Sequence, residues 1–249
     1  MEEQINNCIN LLKAQDINGC ITGSCMLGYY PEWNQDIDLF VYDKSSFNKL
    51  LFFCHYNLLF NILDPLELHK FQEYIDNEKS SLESLGLITI KFKYNLCIDV
   101  NIIYKKFHKN IYDVISNFDL DIIAQGYDIK TKQYLSLRQS SGMEGTWNKH
   151  NPVFYEKANK FWSWKRLVRQ FERVVKYTKR GYNLESVTDK YIEIIEAAIK
   201  TENYYKSEKG TAYFDETIEQ FEIVLKVLKI WKETKEISEI NLLMLKQLL

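Results

Sequence analysis

The chain has 249 residues, 46% hydrophobic and 27% charged, with nine glycines, three prolines and a net charge of −2. That composition is the ordinary one of a soluble globular protein and predicts enough core for two lobes. No apolar run reaches the length of a membrane span and the first residues lack a signal-peptide pattern, so a cytoplasmic protein with no membrane partner is expected.

In chain order, residues 2 to 15 carry Ile5, Ile9, Leu11 and Leu12 at helical spacing. Residues 17 to 22, INGCIT, read as a strand ending in a Gly23-Ser24 turn, and CMLGYY as a short helix behind it. DIDLFVY, residues 36 to 42, is a second strand. Ser45 and Ser46 stand where an N-cap would open a helix over FNKLLFFCHYNLL. Pro65 suits the first turn of another helix, ending near Glu78. Residues 85 to 104 predict a hairpin turned around Tyr94-Asn95, residues 107 to 117 a helix, and residues 120 to 137 a second hairpin. A Gly/Ser-rich joint at residues 138 to 152 follows, and beyond Val153 helical periods dominate. The expected plan is an α+β domain over residues 1 to 140 and a helical domain over residues 141 to 249.

The five cysteines (Cys8, Cys20, Cys25, Cys54, Cys97) are scattered and form no Cys-x-x-Cys pair, which predicts reduced thiols rather than a zinc site or disulfide framework. The four histidines are equally dispersed and read as surface or packing residues.

Charge is unevenly spread. Between residues 157 and 182 nine basic residues oppose one acid, Glu172. On a helix, Phe161, Trp164, Leu167, Val168, Phe171, Val174, Val175 and Thr178 share an apolar face. Arg166, Arg169, Arg173, Lys176 and Arg180 share another, with no acid interleaved for i,i+4 pairing. Such a stripe is either a solvated helix face or a binding surface for a triphosphate or a nucleic-acid backbone. Trp162 and Trp164 beside it offer stacking surfaces for bases.

The stretch ITGSCMLGYYPEWNQDIDLF carries the chemistry. In a strand residues i and i+2 share a face, so Asp36 and Asp38 set two carboxylates about 7 Å apart along the backbone. They are reasonable together if a cation sits between them. A third acid, Asp99, interrupts the apolar strand CIDVNII, where a carboxylate is costly to bury unless paired or metal-bound. Three carboxylates beside a phosphate-binding turn suit two-metal phosphoryl or nucleotidyl transfer, with Mg²⁺, or Mn²⁺ in its stead. Each part has a plainer reading alone: a turn, a polar strand end, a structural aspartate. Asp119 and Asp121 compete for the third-acid role, but they begin their predicted strand, where polar residues need no special explanation. Lys91 and Lys93 alternate on a strand and are expected to face solvent.

Thr22-Gly23-Ser24, Asp36-Ile37-Asp38 and the later strand aspartate Asp99 resemble the nucleotidyltransferase superfamily typified by DNA polymerase beta. FDLDIIAQGYD and KYTKRGY are also similar to segments of uncharacterised phage and large-virus members. Gln35 departs from the Ser or Asp common before the first catalytic aspartate, and the turn lacks a strong second glycine. The resemblance implies a mixed sheet with flanking helices, followed by a helical lobe. It implies that Gly23 and Ser24 bind nucleotide phosphates and that Asp36, Asp38 and Asp99 bind Mg²⁺. Asp99 would also accept the acceptor proton. Arg166, Arg169 or Arg173 would hold the triphosphate or an anionic acceptor such as an RNA end. The competing expectations are a nucleotide- or RNA-binding module without turnover, such as a toxin-antitoxin partner, and a phosphatase or nuclease built on the same carboxylates.

Overall fold

The computed structural model describes residues 2–28, 36–76, 87–151, 164–209 and 213–236. The chain forms two compact units, Met1–Arg138 and Gln139–Leu249. The first is a seven-stranded mixed sheet with helices, the second is helical among its described residues. The expected α+β class is therefore observed.

In the first unit, helix α1 (Glu2–Lys13) buries Ile5, Cys8 and Leu12, its acids in the first turn and Lys13 in the last matching the helix dipole. Strand β1 (Gly19–Thr22) follows, then a 3-10 turn (Gly23–Leu27) and strand β2 (Ile37–Val41). Helix α2 (Lys44–Tyr56) is capped by Asp43, whose carboxylate accepts from the Ser46 amide at 2.7 Å. The cap is thus Asp43 rather than Ser45 or Ser46, and the Ser46 hydroxyl instead accepts from the Asn18 amide at 2.9 Å. Strand β3 (Phe60–Asn61) is short, and helix α3 (Pro65–Asp76) opens with proline as expected. Its expected end at Glu78 lies outside the described residues.

Strands β4 (Leu87–Tyr94) and β5 (Ile98–Lys105) form the predicted hairpin. Its turn holds Asn95 at φ 48° and Leu96 at φ 61°. Helix α4 is one short stretch, Ile111–Ile115, capped by Asn110. A second 3-10 turn (Asp121–Ile123) leads into β6 (Gln125–Asp128) and β7 (Gln133–Ser136).

The strand order is β3-β4-β5-β2-β1-β6-β7. Only β2 and β5 run parallel, and the other neighbours pair antiparallel. Alternation then sorts the side chains. Ile37, Leu39, Val41, Ile90, Phe92, Val100 and Ile102 enter one core with Leu12, Phe47, Leu50, Leu51, Phe71 and Tyr74 from α1, α2 and α3. Each such fully buried aliphatic side chain is worth about 2 kcal/mol over exposure. The opposite face is covered at the C-terminal end of β2, where Cys20, Phe40, Tyr42 and Val114 pack together. Asp36, Asp38, Asp99, Asn101, Lys91 and Lys93 fall on that second face toward the N-terminal end of β2. All five cysteines are free, and four are buried.

In the second unit, helices α5 (Trp164–Lys179), α6 (Glu185–Lys209) and α7 (Tyr213–Thr234) bury Val168, Phe171 and Val174, Tyr191 and Ile195, and Val224, Leu228 and Trp231. The Phe171 and Trp231 rings meet edge to face at 6.2 Å, and the Tyr191 hydroxyl donates to Gln170 Oε1 at 3.2 Å. Helix α5 stops at Gly181 (φ 89°), where the Tyr182 amide returns to the Tyr177 carbonyl at 3.1 Å. Among the described residues no helix is long and apolar enough to cross a membrane.

Candidate active site

Gly23 begins the turn after β1 at φ 85°, a backbone angle that favours glycine. A Cβ built on it would stand 2.9 Å from Asp38 Oδ2, so the turn and the β2 carboxylate approach through a gap that only glycine leaves. Ser24 follows in the turn and is buried. Thr22 pairs with Asp38 in the β1–β2 register and is also fully buried. Cys25, behind the turn, donates its thiol to the Thr22 carbonyl at 3.2 Å. Burial pushes that thiol far up, and the negative charges of Asp38 and Asp36 push it further.

Asp36 and Asp38 do share a face. The residue that joins them is one the sequence reading passes over: Asn101, opposite Asp38 in the parallel β2–β5 register. Its Nδ2 donates to Asp38 Oδ1 at 2.8 Å and lies 3.4 Å from Asp36 Oδ2. Carboxylate oxygens accept, so the amide turns its NH₂ toward them. Its other end, Oδ1, is buried with no hydrogen-bond partner among the described residues. The available signal was the i+2 spacing from Asp99, which sets Asn101 as a second polar side chain on the same face of an otherwise apolar strand.

Asp99 lies on that same face, one step of the alternation away. It is half-exposed rather than buried, because Ile98 and Val100 point into the core and Asp99 points away, so its charge stays solvated despite its apolar neighbours in sequence. Its carboxylate pairs with Lys93 of β4 at 2.5 Å. Lys93 is thus an ion-pair partner as well as a surface residue, while Lys91 is exposed beside it. Leu63, Asp64, Glu67, Lys91, Phe92, Lys93 and Asp99 line a hollow at this edge of the sheet.

Asp119 and Asp121 do not begin a strand. Both are buried, Asp121 within the second 3-10 turn, which packs against the Gly23–Leu27 turn. Among the described residues no three His, Cys, Asp or Glu groups gather closely enough to enclose a metal ion.

On α5, Arg169 and Arg173 are exposed. Arg166 lies in the helix, but its side chain is outside the described residues, as are Lys157, Lys160, Phe161, Trp162 and the side chain of Trp164. Arg180 leaves the stripe: it follows the last helical residue, is 5% exposed, and its guanidinium sits 5.2 Å from the Tyr177 ring centroid. Helical spacing cannot be extended past the end of the helix, which is why the pattern misplaces it. Gln35 is outside the described residues.

No family model matches this chain, and neither a curated protein nor a solved structure matches it.

Proposed function

We propose that the protein is a metal-dependent nucleotidyltransferase, moving a nucleoside monophosphate from an NTP to the hydroxyl of an acceptor. The reading is carried by one observation: two carboxylates, Asp36 and Asp38, converge on one amide on a sheet face, with Gly23 closed against one of them. Hard carboxylate oxygens fit Mg²⁺ or Mn²⁺, whose remaining positions are commonly filled by water and substrate phosphates. Asp36 and Asp38 would hold such an ion. When bound, it supplies charge neutralisation at the phosphates and a lowered pKa at the acceptor hydroxyl.

The chain's own groups do the rest. Gly23 lets the turn close against Asp38, and the amides of the turn that follows would orient a nucleotide phosphate. The acceptor oxygen bonds to the α-phosphorus, the bond to the β-phosphate oxygen breaks, and pyrophosphate leaves. The hydroxyl proton passes to a carboxylate of the site. Positioning and charge complementarity provide most of the rate. Arg169 and Arg173, with Arg166, make the second unit's helix α5 suited by itself to an anionic partner such as an RNA backbone.

The test uses each NTP labelled at the α-phosphate, with Mg²⁺ and a cell lysate separated into RNA, protein and small molecules. Label in one fraction, lost with Asp38→Asn, supports transfer and names the acceptor class. Inorganic phosphate released in place of pyrophosphate would favour a phosphatase.

A second reading is a nucleotide- or RNA-binding module without turnover. It draws on the Asp99–Lys93 ion pair, which engages the expected third acid. Mg²⁺-dependent NTP binding with no labelled product would favour it.

A further inference from the structure

We infer that Asn101, and not Asp99, is the third protein ligand of the cation proposed at Asp36 and Asp38, contributing a neutral carbonyl oxygen. The inference rests on the nucleotidyltransferase reading. Asn101 stands directly across from Asp38, and its amide nitrogen already occupies the point between the two carboxylates. A hydrogen-bond donor and a cation answer the same need there, relief of two like charges. When a cation takes that point, the amide must present its oxygen instead of its NH₂. Rotating it exchanges Oδ1 for Nδ2 and loses nothing on the far side, because Oδ1 has no partner there among the described residues.

Asp99 is held differently. Its Oδ1 is engaged by Lys93, its partner across the β4–β5 register, whereas the residue across from Asp38 is Asn101. With Asn101 as third ligand the protein donors carry −2 rather than −3, matching one divalent ion. Nucleotide phosphates then add the remaining negative charge.

The experiment is a Mn²⁺ titration of the full chain followed by electron paramagnetic resonance, with circular dichroism as the folding control. It needs no activity. Asn101→Leu should weaken Mn²⁺ binding about tenfold, and Asn101→Asp should tighten it about tenfold by adding a charge beside the ion. Asp99→Asn should leave it within about twofold, since that carboxylate acts on the ion only through space. Weakening by Asp99→Asn with no effect of Asn101→Leu would overturn the inference and leave the nucleotidyltransferase reading standing. Should neither the natural chain nor Asn101→Asp bind Mn²⁺, the metal-dependent reading falls, and this inference with it.

Discussion

Gly23 and Asp38 meet so closely that a single added carbon on Gly23 would lie 2.9 Å from the Asp38 carboxylate. Gly23→Ala therefore has two consequences. The φ of 85° costs an alanine about 1 kcal/mol. The clash falls on the end of a side chain, which can move, so Asp38 swings and its 2.8 Å bond to Asn101 is lost. The expected outcome is a modest fall in melting temperature with a loss of transfer of at least about a hundredfold. Thermal melts and labelled-NTP assays on the same preparation check it. Equal losses in both would mean the turn serves folding alone.

Asp36→Asn should separate stability from activity in the other direction. It removes one of two like charges that share a single amide donor, so the fold should be unharmed or firmer by a few tenths of a kcal/mol. Transfer should fall by about a thousandfold or more, because the site loses a carboxylate. Urea melts and single-turnover transfer decide it. A variant that keeps half its activity would remove Asp36 from the site.

Arg169 and Arg173 are exposed on α5. Replacing both with Gln should weaken binding of single-stranded RNA and lower the salt dependence, the slope of log K against log salt falling by about 0.7 per phosphate contact removed. Fluorescence anisotropy across a salt series measures this. An unchanged slope would make the stripe a solvated helix face.

His108 gives the fold a pH signature. It is 5% exposed, tilted against the Phe40 ring at 5.7 Å, with Lys105 and Asp113 as its charged neighbours. Burial first, and the Lys105 charge second, hold its pKa down from 6.5 to about 4, against the opposing pull of Asp113. The unfolded chain thus binds a proton below about pH 6.5 that the folded chain refuses until about pH 4. Stability contributed by the neutral imidazole is complete above that window and falls as pH drops through it, by at most about 3 kcal/mol. Urea midpoints between pH 4 and 7 should show the slope, and His108→Phe should flatten it.

Much of the first unit is readable from period and punctuation. Pro65 marks the start of α3, alternation marks β4 and β5, and Asp36 and Asp38 fall on one face because any strand puts them there. Finer choices are not readable. Asp43, Ser45 and Ser46 are all competent caps, and Asp43 wins because the helix begins at Lys44. The two-residue β3 has too few positions to show a period, and Arg180 is lost from the basic stripe once the helix stops.

The chain's own pattern determined which polar side chains sit on a sheet face and which apolar ones fill the core, since a period of two is a property of a single strand. Which residue stands beside Asp38 depends on the alignment of two strands distant in sequence. That alignment is set by helices packing on the far face and by backbone pairing along β2 and β5, and a shift of two residues would keep every side chain on its face while exchanging Asn101 for Asp99. Tertiary structure alone made that choice, and it chose Asn101.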